Sequence, residues 1–187
     1  MVTASELRPG MAIRHEGQLW KVLEAEHHSG QGKMGGVTHV HLQNLETGTY
    51  KDYGFRADLK LEDVPLDRMP FEFLYRDGDN CVFMNPDTYE QVELPASLIG
   101  PQEKLLVEQM RVSIEFVEGR PVSVQFPDFV EVRVTDTAPP VHNQQDNTWK
   151  EARLENGIQV MVPQFIKSGD VIRLETSKLA YMDRVRG

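Results

Sequence analysis

Cysteine is almost missing from these 187 residues: Cys81 is the single one. One thiol builds neither a disulfide framework nor a cysteine-based zinc cluster. No apolar run approaches the roughly 18 residues that a bilayer crossing requires. The opening stretch, MVTASELRPG, lacks the apolar core of a secretion signal. Basic residues are scarce too, at 20 Lys and Arg against 29 Asp and Glu, for a formal charge of −9. That balance excludes coating of nucleic acid by bulk positive charge, although local contacts stay open. A long 3.6-residue apolar period is also lacking. The best helical stretch is a stub between Ala96 and Gln109, cut by Gly100-Pro101. Disorder is excluded from the other side, because 40% of the residues are hydrophobic, enough to fill cores. The expectation is a soluble, cytoplasmic, all-β protein.

Short extended runs recur along the whole chain. Residues 18–23, 37–42, 49–55, 71–75, 81–84, 112–117, 122–126, 157–162 and 171–174 are rich in Val, Ile, Leu, Thr or aromatics. Gly, Pro, Asn or Asp bound each of them. Strands this short and this numerous suggest small barrels or sandwiches. Proline-marked breaks at Val64-Pro65 and Phe126-Pro127 divide the chain into domains at 1–64, 65–127 and 128–187. Charge is uneven among them. The stretch 65–128 holds 12 acidic and 5 basic residues, whereas 129–187 holds 8 of each. If the protein touches RNA, the two ends of the chain are the better candidates, since phosphate contacts need Lys and Arg.

One motif invites a wrong reading. Gly30-Gln31-Gly32-Lys33-Met34-Gly35 matches the dinucleotide pattern G-x-G-x-x-G. That turn must open a helix, so that the helix amides meet a pyrophosphate. Here it opens Val37-Thr38-His39-Val40-His41, an alternating strand. Nor is it a phosphate loop of the Walker type: His27 stands where glycine would be, and Met34 where Ser or Thr would meet magnesium. The better reading is a hairpin tip. Gly30, Gly32 and Gly35 thin the backbone, and Lys33 projects from it. His39 and His41 share one strand face. Without carboxylate or cysteine at ligand spacing they read as neighbours of RNA or solvent, and no metal or cofactor is expected.

Longer stretches carry a family likeness. Ser5-Glu6-Leu7-Arg8-Pro9-Gly10-Met11, the run Lys33 to Leu42 with Gln43-Asn44-Leu45-Glu46-Thr47-Gly48 after it, and Phe83-Met84-Asn85-Pro86-Asp87-Thr88-Tyr89-Glu90-Gln91 resemble bacterial elongation factor P. The pattern K-x-A-x4-G-x2-[LIV]-x-V-P-x2-[LIV]-x2-G of that family is met by Lys150, Ala152, Gly157, Val160, Val162, Pro163, Ile166 and Gly169. The resemblance implies an SH3-like KOW barrel followed by two OB-folds in an L-shaped, tRNA-like arrangement. It implies a monomeric, non-enzymatic translation elongation factor that uses no cofactor and touches no membrane. Its partners would be the ribosome, between P and E sites, and the P-site tRNA, and its task relief of stalling at consecutive prolines. It assigns Lys33 as the tip residue that reaches the peptidyl-tRNA, with Met34 beside it, and as the target of a lysine-modifying enzyme. It assigns Tyr181 and Arg184 to a tRNA-facing tail.

Two departures qualify the likeness. The family tip is commonly Lys-Pro-Gly-Lys-Gly, where this chain has Gly30-Gln31-Gly32-Lys33-Met34. The family's Gly-Asp-Thr run at the E-site codon is replaced by polar residues within 142–147. The first departure keeps an elongation-factor-P-like paralogue with a different stalling context in view. A general OB-fold RNA-binding protein is the alternative outside the family. Trp149, just before the signature lysine, reads as packing on a barrel rim, with stacking on a base as the other possibility.

Overall fold

Alternation of inward apolar and outward polar side chains dictates this architecture. In a computed structural model, which describes residues 1–32, 35–140 and 148–186, sixteen strands form three antiparallel sheets. The first sheet contains β1 (Val2–Thr3), β2 (Ala12–His15), β3 (Gln18–His28), β4 (Val37–Asn44), β5 (Tyr50–Arg56) and β6 (Lys60–Val64), in the order β1-β6-β2-β3-β4-β5. Ile13, Val22, Val40, Leu42 and Phe55 fill its core.

The second sheet holds β7 (Asp67–Asp77), β8 (Asn80–Met84), β9 (Gln91–Pro95), β10 (Arg111–Val117) and β11 (Arg120–Gln125), in the order β11-β10-β7-β8-β9. The third holds β12 (Phe129–Thr137), β13 (Trp149–Leu154), β14 (Gln159–Pro163), β15 (Val171–Glu175) and β16 (Ala180–Arg184), in the order β14-β13-β12-β15-β16. Numbered within each sheet, both orders are the same up to direction: third, second, first, fourth, fifth. The outer strands also meet, β9 with β11 and β14 with β16. That is the five-stranded, partly open barrel of an OB-fold, made twice. The first strand of each barrel carries a register shift at an equivalent place, between Phe73 and Tyr75 and between Val134 and Asp136. Such bulges bend a strand so that it can serve both halves of a barrel.

Strands β1, β2, β6, β9, β12, β13 and β16 are absent from the runs that the residues alone single out. Several are short or carry charged residues between their apolar ones. In β12 only Val132 and Val134 are buried, between outward Glu131, Arg133 and Thr135. Pairing with neighbours supplies what their composition does not. The expected helical stub is one turn, α1 (Ala96–Ile99), continued as a 3-10 segment (Gly100–Leu105).

Contacts group the chain into two compact units. One comprises Met1–Gly100 with Ser113–Gln125, the other Pro101–Val112 with Phe126–Gly187. The first therefore joins the KOW-type sheet to the first OB barrel. Ala12, Leu19 and Leu45 pack there against Val117 and Val122. Beside this seam Glu115 is fully buried. Its carboxylate accepts from Lys21 Nζ, from Arg68 Nε at 2.9 Å and from Ser123 Oγ at 2.7 Å.

The Asn44-Leu45-Glu46-Thr47-Gly48 turn makes the same seam. Asn44 Oδ1 accepts the amides of Glu46 and Thr47 at 2.8 and 3.1 Å, an Asx turn. Gly48, at φ +79°, lies so close to the Ser97 carbonyl that a Cβ would overlap it. In the second unit, Leu105 joins Val132, Val134, Leu154, Val162, Ile166, Ile172 and Leu174 in one core. Signature residue Lys150 is buried there. Its Nζ donates to the carbonyls of Ala138 at 2.5 Å and Ile166 at 2.6 Å.

Candidate nucleic-acid interface

The expected tip lies on the longest hairpin of the first sheet. β3 and β4 pair from Trp20↔Asn44 to His28↔Val37, with one register shift between Val22 and Glu24. On β3 the last side chain in the apolar core is Ala25, whereas beyond Val40 the core still takes in Phe55 of β5, beside fully buried Thr38 of β4. Three further residues of β3 run on to His28, about 10 Å of paired strand at ordinary rise. His27 and His28 are exposed there. Gly30, Gly32 and Gly35 occupy the connection beyond, with Gly32 at φ +67°. Gly36 runs so near the His28 carbonyl that a Cβ would collide with it. Close approach thus requires glycine at 36, and the positive φ favours it at 32. Lys33 and Met34, the two tip residues that the family likeness assigns, lie outside the described residues, as does the loop expected at 142–147.

A polar buttress supports the hairpin base. Arg8 Nη1 reaches the Leu7 carbonyl at 2.9 Å and His27 Nε2 at 3.2 Å. An arginine only donates, so Nε2 accepts and the His27 proton sits on Nδ1. That N–H then donates to Thr38 Oγ1 at 3.0 Å, across the strand pair. The chain Arg8–His27–Thr38 clamps the projecting end of β3 to β4. The Ser5–Met11 motif does not betray this link, because it joins residues remote in sequence.

The opposite face of the hairpin is a histidine stripe. The His28 and His39 rings meet edge to face at 5.2 Å. Gly54, across from His39, leaves room for its ring, which a Cβ would touch at 3.5 Å. His41 Nδ1 lies 2.6 Å from Asp52 Oδ1, and its ring stacks on Tyr50 at 5.6 Å. His39 and His41 thus have protein partners of their own. Among the described residues no group of three His, Cys, Asp or Glu side chains could hold a metal ion, and no helix is long and apolar enough to cross a membrane.

The two tail residues share β16, in the second unit. Tyr181 is half-buried against the barrel core. Burial, then the Asp183 charge, raises its phenol above the ordinary value, with Arg184 opposing. Arg184 lies over the Phe165 ring at 5.4 Å and 3.9 Å from Asp170. Beside Tyr181, at 5.8 Å and nearly perpendicular, stands the ring of Trp149.

A hairpin-bearing KOW-type sheet ahead of two OB barrels defines a multi-barrel β-protein, and comparison with known proteins narrows that class to translation factors. Three family models match in succession: the elongation factor P KOW-like domain over residues 3–61, its OB domain over 66–124 and its C-terminal domain over 130–184. Elongation factor P of Brucella canis is 38% identical over 184 residues, covering 98% of each chain, and that of Brucella abortus is equally similar. Among solved structures, eukaryotic translation initiation factor 5A from Methanococcus jannaschii covers 64% of this chain and 88% of its own, at 23% identity and a TM-score of 0.46. The chain belongs to the elongation factor P family.

Proposed function

We propose that this factor binds the ribosome between P and E sites and restores peptide-bond formation at consecutive prolines, with Lys33 at the P-site peptidyl-tRNA. The observation that carries the reading is the hairpin. Its first strand runs three residues past its own last core side chain, Ala25, and the pair ends in a glycine-rich connection that contains Lys33. A thin, clamped arm of this kind suits a probe that must enter a narrow space. A lysine ammonium can contact phosphate or ribose oxygens without an overall basic protein. The factor then supplies orientation rather than acid, base or metal, and acts as a cytoplasmic monomer, not an enzyme. Its working modules are 1–64, 65–127 and 128–187. Tyr181 and Arg184 face tRNA. An enzyme that lengthens the Lys33 side chain would add reach and donors.

The test is Lys33→Ala on a tri-proline template. The variant should bind ribosomes as the parent does and lose the stimulation. Undiminished stimulation would refute the assigned role of Lys33. The Gly-Gln-Gly-Lys-Met tip favours a second reading, a paralogue with another stalling context. It predicts rescue of other stalling motifs in the same assay while tri-proline stays slow. Peptide mapping of Lys33 from the native host reads out the modification.

A further inference from the structure

We propose that the outer strip formed by Trp149, Tyr181, Phe165 and Arg184 is a stacking surface for unpaired RNA bases, with Trp149 as its principal ring. The inference rests on the translation-factor reading and adds a contact residue and a ligand class to the tail. Trp149, at the start of β13, is 51% exposed, and Phe165, in the turn after β14, is 45% exposed. Rings left this open on a barrel surface forgo the stabilisation of burial. They are also grouped. Trp149 meets the Tyr181 ring, Phe165 lies under the Arg184 guanidinium, and both partners sit on β16.

Position supports the same conclusion. Trp149 opens the second strand of its OB barrel and pairs with Pro163 at the end of the third, two residues before Phe165. Met161, also exposed, shares the outer face of that strand pair. The face of strands two and three is where OB-folds take oligonucleotides. Aromatic rings flanked by arginine are the usual means of holding single strands, because every base has a π-face and every nucleotide a phosphate. Glu151 projects from the same face and Asp170 lies near Arg184. The strip therefore relies on stacking more than on charge. An oligonucleotide should bind modestly and with a shallow salt dependence.

Intrinsic fluorescence tests this directly, because the only other tryptophan, Trp20, is buried. The full-length chain is titrated with a short dye-labelled oligouridylate, following both dye anisotropy and tryptophan emission. Saturable quenching is expected. Trp149→Phe should abolish the quenching yet keep affinity within about threefold. Trp149→Ala should weaken binding about tenfold, as loss of one stacked base does. Thermal melts confirm that both variants stay folded. No saturable quenching, equal affinity of Trp149→Ala, or equal binding of the same strand in a duplex would each overturn the proposal. A parent chain that relieves tri-proline stalling but ignores the oligouridylate sinks this inference alone. One that binds it through Trp149 yet relieves no stalling sinks the proposed function and leaves the stacking surface standing.

Discussion

Glu115→Gln should destabilise the first unit by about 3 kcal/mol at neutral pH. The parent carboxylate is fully buried and answers two cations and a hydroxyl. Removing its charge leaves Lys21, only 12% exposed, beside a neutral amide. Breaking a buried pair by removing one partner costs about 3–5 kcal/mol, because the surviving charge is stranded. Arg68 is half-exposed and can turn to water, so the lower end of that range applies. For a unit of this size the loss corresponds to a fall of roughly 10 °C in Tm.

The pH profile gives a second signature. Burial alone would raise the Glu115 carboxyl. The charge of Lys21 and the hydrogen bonds from Lys21, Ser123 and Arg68 outweigh it and hold the group below its ordinary value. A depressed carboxylate stabilises the fold above the unfolded value, about 4.3, and the contribution vanishes as pH falls through the folded value. The parent should therefore lose stability faster than Glu115→Gln as pH drops below about 5. Urea denaturation at pH 7 and across the acid range, followed by circular dichroism, measures both effects. Stability within about 0.5 kcal/mol of the parent at pH 7, with parallel acid limbs, would refute the argument. Replacing Lys21 and Glu115 together by apolar residues should recover most of the loss, since a packed apolar pair matches a buried ion pair.

Three further outcomes are expected. Gly48→Ala should cost about 2 kcal/mol, because the new Cβ meets the Ser97 carbonyl at a positive φ. Gly157→Ala, at φ +84° with nothing within 4 Å, should cost only about 1 kcal/mol; melting both variants separates contact from backbone strain. Lys150→Met should cost about 2 kcal/mol by leaving the Ala138 and Ile166 carbonyls without their donor. Burial holds the Lys150 ammonium below the ordinary lysine value, with Asp170 opposing. The parent should therefore gain on Lys150→Met as pH rises from the folded value toward about 10.4, which alkaline melts will show.

Alternating side chains and turn residues were enough to read a β-protein of small barrels, and the glycine run between two alternating strands was enough to read a hairpin tip. Both signals are local: a strand displays its period and a tight turn its glycines within a few residues. The signature around Lys150 could be matched as a pattern, but its purpose could not be read. Folding makes Lys150 a buried tie between two carbonyls, while Gly157 and Gly169 take up positive φ. Glu115 looked like one acid among twelve in its stretch. Its importance arises because folding brings Lys21, 94 residues away, against it where the carboxylate is fully buried. Trp149 and Tyr181 are likewise separated by most of a barrel in sequence and adjacent on its surface. Strand period and turn chemistry depend on covalent neighbours. Buried charge and clustered rings depend on which distant strands share a seam, and only closure of the barrels sets that.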